Sequence, residues 1–177
     1  IEIAQSEKPI GFVQQNPKYQ IIAGTVEKDT AFGPENLGLP EVEIKTRTQT
    51  CLKQVELLEK ASEKTKSLSL GQTQKLALSG ILALEPDLLI LDEPTNGLDP
   101  AGIQEMRSLI ASMPQTTGAT VLISSHLLGE IEQMVDQVGI LNHGRLLFEG
   151  SLQQLQKHSR GGILLRVLDA PKAAAVL

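Results

Sequence analysis

Short apolar runs alternate with amphipathic stretches along the 177-residue chain. This alternation predicts an α/β fold with a mostly parallel sheet. Two continuous apolar runs, 87–92 and 120–124, are typical of strands buried on both faces of such a sheet. The predicted strands cover 10–14, 87–92 and 120–124, with a short extended piece at 20–23; the predicted helices cover 25–32, 40–58, 71–84, 99–113 and 127–135, and 60–66 is predicted as a solvated link.

The pattern changes after Val138, where two short runs flank the turn Asn142-His143-Gly144 and predict an antiparallel hairpin. Beyond the hairpin we expect a small helix at 152–157, a break at Gly161-Gly162 and a strand at 163–167. The predicted domains are one partial domain at 1–150, with a helical subdomain at about 25–84, and a tail at 151–177 that begins an accessory element.

Composition excludes several classes of protein. The chain has 21 acidic and 16 basic residues and no stripe of Lys and Arg, so nucleic acid is not expected as a partner. Cys51 is the only cysteine, which excludes an intrachain disulfide and a multi-cysteine zinc site; it lies on an apolar stripe and is predicted to be a small core residue. No apolar run approaches the ~20 residues needed to cross a bilayer.

Two adjacent carboxylates, Asp92 and Glu93, follow the apolar run Leu88–Leu91. They fall at the C-terminal end of a predicted strand, where open α/β sheets place their ligands. One carboxylate can hold Mg²⁺ while its neighbour faces the attacking water of a phosphoryl transfer. An acidic turn after a core strand is the alternative, and it would be preferred if this motif stood alone.

Further polar groups surround this motif in the sequence. The segment Ser69-Leu70-Gly71-Gln72 opens a predicted helix, whose N-terminus can bind an anion, although a plain helix cap explains it equally well. His126 follows the next predicted strand, where its imidazole could reach a terminal phosphate. A lone histidine in that position is more often a satisfied surface or core residue.

The order of these motifs resembles that of the ATP-binding cassette of ABC transporters, from about residue 10 to residue 151. The matching motifs are, in chain order, the Q-loop glutamine Gln15, the signature motif at 68–72, the Walker B strand at 88–92, the catalytic base Glu93, the D-loop at 96–99 and the switch histidine His126.

This resemblance implies a fold, cofactors and partners. The fold would be a P-loop NTPase-like, mostly parallel sheet with a helical signature subdomain. The cofactors would be ATP and Mg²⁺, and the partners would be the membrane (permease) subunits of an ABC transporter and a second ATP-binding subunit, identical or different. The subunit would be cytoplasmic and peripheral on the inner face of the cell membrane.

The resemblance also implies a role for each matched residue. Asp92 would hold the metal, and Gln15 would sense Mg²⁺ and couple to the membrane subunit. Glu93 would polarise the attacking water, and His126 would contact the γ-phosphate. The residues implied to grip the partner's ATP or to cross the dimer interface are Ser69, Gly71, Gln72 and Asp99.

Two features depart from the family pattern. Leu70 stands where the signature motif usually has Gly, and none of the 15 glycines is followed by Lys, so the sequence holds no phosphate loop of the form Gly-x-x-x-x-Gly-Lys. We therefore expect the P-loop strand and helix to be missing and the chain to resemble the C-terminal two thirds or more of such a domain.

Alternatives remain open at this point. The chain is either the ATP-hydrolysing subunit of an ABC transporter or a catalytically incomplete module that contributes only its signature face to a partner's site. An ABC-type ATPase of DNA repair or translation is disfavoured by the acidic charge balance. Its N-terminal half resembles energy-coupling-factor importer ATPases and its C-terminal half bacitracin and lantibiotic exporter ATPases, so a hybrid origin is also open.

Overall fold

The computed structural model describes residues 9–158. These residues fall into two compact units that divide between Met134 and Val135. Within the described residues, no helix has the length and apolar character that a membrane crossing needs. The elements of the first unit are β1 (Ile10–Val13), α1 (Val26–Asn36), α2 (Glu41–Gln54), α3 (Leu70–Leu82), β2 (Leu88–Asp92), α4 (Pro100–Thr117), β3 (Thr120–Ser124) and α5 (Leu128–Ile131), with 3₁₀ turns at Pro17–Tyr19, Leu58–Lys60 and Thr65–Ser67.

A three-stranded parallel sheet in the order β1-β2-β3 organises the first unit. Its register aligns Asp92, the last residue of β2, with Ser124, the last residue of β3. The predicted α/β fold with a parallel sheet is thus confirmed. The prediction that β3 is buried on both faces is wrong, because its residues alternate between exposed and half-buried and Leu122 is 57% exposed.

One apolar core lies between the sheet and helices α2, α3 and α4. Leu52, Leu76, Leu89 and Ile110 are almost fully buried in it. Cys51 belongs to the same core, as predicted from its place on the apolar stripe of α2. Because aliphatic side chains pack these elements together, the core fixes the helical part of the unit against the strand that carries Asp92.

Helix α1 does not end at Gly33-Pro34, as predicted, but continues to Asn36. Pro34 removes one helical N–H donor, but the turn that follows it is still closed, because the Leu37 and Gly38 amides donate to the Gly33 and Glu35 carbonyls, respectively. Gly33 does not end the helix; a Cβ at this position would lie 2.7 Å from Leu84 Cδ2, so the end of that leucine side chain would have to shift.

Helix α2 ends at Gln54, four residues before the predicted end at 58. Glu56 has a positive φ of 60°, and the Leu57 amide donates to the Leu52 carbonyl at 2.8 Å. This left-handed residue turns the chain while Val55 and Leu57 stay buried in the core. The apolar stripe therefore outlasts the helix, which is why periodicity alone placed the end too late.

Three further predictions need correction. Residues 20–23 form no strand; instead the Asp29 carboxylate accepts the amides of Ile22 and Ala23, each at 2.7 Å. The link at 60–66 is not simply solvated, because Lys64 forms a β-bridge with Thr25. Helix α5 covers only 128–131 of the predicted 127–135, since a turn that closes on Ile131 replaces its second half.

The second unit contains β4 (Gln137–Asn142), β5 (Arg145–Ser151) and α6 (Leu152–His158). The two strands pair antiparallel, and His143 and Gly144 form the turn with φ values of 48° and 73°. Two successive residues with positive φ are typical of the two-residue turns that match the twist of a hairpin. The predicted hairpin and following helix are confirmed, and the predictions for 161–167 lie outside the described residues.

Candidate functional site

A cluster of hydrogen-bonded side chains lies at the C-terminal ends of β2 and β3; we call Asp92, Glu93, Ser124 and His126 the carboxylate cluster. Glu93 adopts a positive φ of 47°, a conformation that non-glycine residues rarely take. Its amide lies 3.2 Å from the Ser124 carbonyl and 3.0 Å from Ser124 Oγ. The end of β3 thus holds Glu93 in this strained conformation.

The Ser124 hydroxyl also orients Asp92. Its Oγ donates to Asp92 Oδ1 at 2.6 Å while it accepts the Glu93 amide. A charge-assisted bond of this length restricts the carboxylate to one orientation. No motif in the sequence assigns a role to Ser124; the alignment of the ends of β2 and β3 is the feature that could have indicated one.

His126 and Glu93 form the second contact of the cluster. His126 Nδ1 lies 2.8 Å from Glu93 Oε2, and the Glu93 side chain is 19% exposed whereas that of His126 is 63% exposed. The imidazole therefore covers the carboxylate and restricts its rotation. A carboxylate positioned in this way can accept a proton from water or orient it for attack on a phosphoryl group.

A separate cavity of about 450 Å³ lies between the N-terminus of α3 and the loop that leads into α4; we call it the signature pocket. Ser69 and Gln72 form a reciprocal capping box there, with Ser69 Oγ accepting the Gln72 amide at 3.2 Å and Gln72 Oε1 accepting the Ser69 amide at 3.0 Å. Asp99 caps α4 by accepting the Gly102 amide at 3.0 Å. The pocket is therefore bounded by two helix N-termini with positive dipole ends.

Leu70, the departure from the family pattern, packs within this pocket. A Cβ on Gly97, which has a φ of 75°, would lie 3.3 Å from Leu70 Cδ2, and one on Gly71 would lie 3.8 Å from Leu98 Cδ2. The start of α3 and the loop before α4 thus interlock through a leucine from each side. Gly97 provides both the left-handed turn and the space that Leu70 occupies.

A buried ammonium group on the signature pocket was missed by sequence analysis. Lys75 is 8% exposed, and its Nζ lies 2.9 Å from Glu56 Oε2 and 3.0 Å from Glu105 Oε2. Burial lowers the pKa of Lys75, but hydrogen bonds to the two glutamates outweigh burial and leave that pKa raised. The pKa of Glu56 is lowered by its bond to Lys75. These ion pairs connect α3 to α4 and to the end of α2.

The predicted site residues therefore occupy three places. Asp92, Glu93 and His126 are joined in the carboxylate cluster, and Ser69, Gly71, Gln72 and Asp99 all line the signature pocket. Gln15 is exposed just beyond the end of β1 and belongs to neither group. Just before Gln15, the side-chain amide of Gln20 accepts a hydrogen bond from the Gln14 amide and donates one to the Phe12 carbonyl. These two bonds hold the start of this loop.

The carboxylate cluster offers ligands suited to a hard cation. Asp92 and Glu93 provide carboxylate oxygens, and Mg²⁺ typically takes one or two carboxylates together with water and phosphate oxygens. Among the described residues, no group of three or more His, Cys, Asp and Glu side chains forms a complete metal cage. The cluster thus fits a magnesium ion shared with a phosphate ligand and does not fit a metal held by protein alone.

A parallel sheet whose strand ends in paired carboxylates places this chain among the open α/β domains that bind ligands at the carboxyl ends of their strands. A protein-family model described as "ABC transporter" matches residues 1–96, which is more than half of the chain. The chain belongs to the ABC transporter family.

Individual relatives agree with this assignment. The chain is 36% identical over 175 residues to the energy-coupling factor transporter ATP-binding protein EcfA2 of Clostridioides difficile, covering 97% of the chain and 60% of that relative. It is 39% identical over 163 residues to EcfA1 of Caldanaerobacter subterraneus, covering 92% and 58%. The chain thus spans about 60% of the length of these curated relatives.

A solved structure confirms the fold. The structure of cbiO1 from Clostridium perfringens, described as part of the ABC transporter complex cbiONQ, matches with a TM-score of 0.80 and 36% identity. The match covers 84% of this chain and 59% of that one. The predicted ABC-type ATPase fold is therefore confirmed.

Proposed function

We propose that this chain belongs to the ATP-binding subunit of an ABC transporter, which couples the binding and hydrolysis of ATP to transport across a membrane. The observation that carries the proposal is the carboxylate cluster, in which Ser124 orients Asp92 and His126 restrains Glu93 at the end of a parallel sheet. Phosphoryl transfer requires positioning and electrostatic stabilisation more than covalent chemistry, and this cluster provides both.

Each residue of the cluster has a role under this proposal. Asp92 contributes an oxygen ligand to Mg²⁺, which would neutralise phosphate charge. Glu93 orients and polarises the attacking water, and His126 keeps that carboxylate in place while it contacts the terminal phosphate. Gln15, exposed after β1, senses the metal ion and couples to the membrane subunit.

The signature pocket supports a second candidate function. Ser69, Gly71, Gln72 and Asp99 line it within a single chain. A chain with such a surface can complete the ATP site of a partner subunit. In both cases the subunits pair head to tail, as a homodimer or a heterodimer.

The names of the relatives support an assembly with membrane subunits. Two of them are named as ATP-binding proteins of energy-coupling factor transporters, and a third as part of a transporter complex. We infer a similar assembly with membrane subunits, and a cytoplasmic location on the inner face of the membrane. The resemblance of the C-terminal half to exporter ATPases stays a prediction.

Titration of the full chain with MgATP tests the proposal, using Glu93→Gln to prevent hydrolysis and Asp92→Asn to weaken the metal site. Micromolar binding that Asp92→Asn reduces at least tenfold supports an ATP-binding subunit. If no binding occurs up to millimolar nucleotide, the chain by itself is not an ATP-binding subunit.

The second candidate function has its own readout. The chain is mixed with the full-length Clostridioides difficile relative and MgATP, and association is followed by analytical ultracentrifugation. ATP-dependent association that Ser69→Arg abolishes supports a signature-only role. Association that is equal with and without ATP contradicts it.

A further inference from the structure

The signature pocket has an acidic lining, which by itself is unfavourable for a phosphate ligand. Of the thirteen described residues that line this pocket, three are acidic and one is basic. The acidic residues are Glu56, Asp99 and Glu105, and the basic one is Lys75. Because like charges repel, the carboxylates oppose the entry of a triphosphate unless a cation offsets them. The charge balance of the pocket therefore depends on Lys75.

Lys75 restrains two of these three carboxylates directly. Its Nζ lies 2.9 Å from Glu56 Oε2 and 3.0 Å from Glu105 Oε2. The Lys75 side chain is 10% exposed, whereas those of Glu56 and Glu105 are 75% and 60% exposed. The ammonium group is thus fixed inside the protein, and the two carboxylates reach it from the solvent side. Without this group, both glutamates would be free to rotate, and their charges would not be offset.

The ion pair between Lys75 and Glu105 lies at the same distance along both helices that bound the pocket. Lys75 follows the α3 cap Ser69 by six residues, and Glu105 follows the α4 cap Asp99 by six residues. At 1.5 Å per residue, each separation is about 9 Å along the helix axis. Salt screens exposed charges over about 8–10 Å. A change in charge at this ion pair is therefore still felt by an anion at the two helix N-termini.

We propose that Lys75 is a positioning residue for the signature pocket. It holds the carboxylates of Glu56 and Glu105 and offsets their charge, so that the pocket accepts the triphosphate of an ATP held by a partner subunit. The inference rests on the proposed function, because it takes the signature pocket as the surface that completes a partner's site. Lys75 acts through the two glutamates, and the role requires no contact between its ammonium group and the nucleotide.

Two variants separate this role from that of a simple cross-link between helices. Lys75→Met leaves two carboxylates at the pocket without their counter-charge. A triple variant that combines Lys75→Met with Glu56→Gln and Glu105→Gln has no ion pairs, but it also has no carboxylates at these two positions. If charge determines the affinity of the pocket, the triple variant recovers what Lys75→Met loses. If Lys75 only ties the helices together, the triple variant is as weak as Lys75→Met.

Association with a full-length relative measures these differences. The full chain is mixed with the Clostridioides difficile relative, with and without the magnesium complex of a non-hydrolysable ATP analogue. Analytical ultracentrifugation gives the dissociation constant of the nucleotide-dependent complex for wild type, Lys75→Met, Lys75→Arg and the triple variant. Circular dichroism melts identify a temperature at which all the variants are folded, and association is measured there.

Arg47→Met is the matched control. Arg47 also pairs with two glutamates, Glu43 and Glu85, but it does not line the signature pocket. The substitution therefore changes the net charge by the same amount and removes the same number of ion pairs. A general effect of lost charge or lost stability would appear equally in Arg47→Met and Lys75→Met.

We expect Lys75→Met to weaken the nucleotide-dependent association at least about fivefold, and Lys75→Arg and Arg47→Met to weaken it less than about twofold. The triple variant should return to within about twofold of wild type. Added salt should narrow the gap between wild type and Lys75→Met, because it screens the repulsion.

Two results would overturn the role of Lys75 alone: wild-type affinity in Lys75→Met, or a triple variant that stays as weak as Lys75→Met. A wild-type chain that shows no nucleotide-dependent association would overturn the inference together with the signature role on which it rests. The two kinds of failure are distinguishable, because the first is seen only in the variants and the second already in wild type.

Discussion

The carboxylate cluster and the signature pocket are built by different kinds of interaction. The cluster depends on hydrogen bonds between the ends of two adjacent strands, so that strand register alone brings Ser124 to Asp92. The pocket depends on packing between the first turn of α3 and the loop before α4, and on the ion pairs of a buried lysine further along α3. Strand pairing therefore sets the geometry of the cluster, whereas side-chain packing sets that of the pocket.

The largest expected effects come from the shared core beneath the two regions. Leu91 supports the carboxylate cluster and Leu76 supports α3, and both are at most 1% exposed. Truncation of either to Ala should lower the free energy of unfolding by about 2–5 kcal/mol, because each leaves a cavity. Urea unfolding measures the losses. A loss below about 1 kcal/mol at either position would show that the core does not hold both regions.

Ser124→Ala should have the next largest effect. It removes the hydrogen bond to Asp92 and an acceptor for the Glu93 amide, and we expect a loss of about 1.5 kcal/mol in the free energy of unfolding. Ser108→Ala is the control, since that exposed hydroxyl donates only to the Gln104 carbonyl; its effect should be below about 0.5 kcal/mol. Equal effects of the two substitutions would contradict a special role for Ser124.

Lys75→Met tests the ion pairs of the signature pocket. The loss should be about 0.5–1 kcal/mol, because both glutamates are largely exposed and solvent screens them. The pKa of Glu56 is lowered in the folded state, so its contribution is present above the ordinary value of 4.5 and is lost as the pH falls through the folded value. The difference between wild type and Lys75→Met should therefore shrink below about pH 4.5 in urea unfolding series. If the difference in free energy of unfolding between wild type and Lys75→Met grew on acidification, it would be inconsistent with these ion pairs. Lys75→Arg should retain most of the stability.

The smallest effect concerns Cys51, which reports on packing of the core between α2 and α3. Burial raises the pKa of its thiol to about 11, so few thiolates exist at pH 8. Native chain should react with a maleimide at least about tenfold more slowly than chain unfolded in urea. Leu76→Ala should increase the rate at which Cys51 of the native chain reacts with the maleimide more than Leu91→Ala does. The reverse order would disagree with the packing around α3.

The sequence predicts the fold and the carboxylate cluster better than the signature pocket. The strand ending at Asp92 and the residues after it are visible because apolar runs and polar ends are local features of the chain. The partners of Lys75 are not visible, since Glu56 and Glu105 lie 19 and 30 residues away and nothing in their spacing links them.

The wrong predictions have the same physical origin. The exposed face of β3 could not be foreseen from its own apolar run, because burial depends on what the rest of the fold places over it. The early end of α2 depends on one left-handed residue, Glu56, which carries no local signal for that conformation. Tertiary contacts decide both features, and local periodicity does not report them.

The capping box at the start of α3 determines the conformational entropy of a binding event at the signature pocket. Ser69 and Gln72 are held by each other's amides, but the Ser69 hydroxyl hydrogen and the Gln72 side-chain amide hydrogens are not used in these two bonds. Under the proposed function, an anion that binds there would meet two side chains that have already lost their rotamer freedom. Freezing two mobile side chains costs about 1–3 kcal/mol. Because these two side chains are already ordered in the folded helix, binding does not carry that cost.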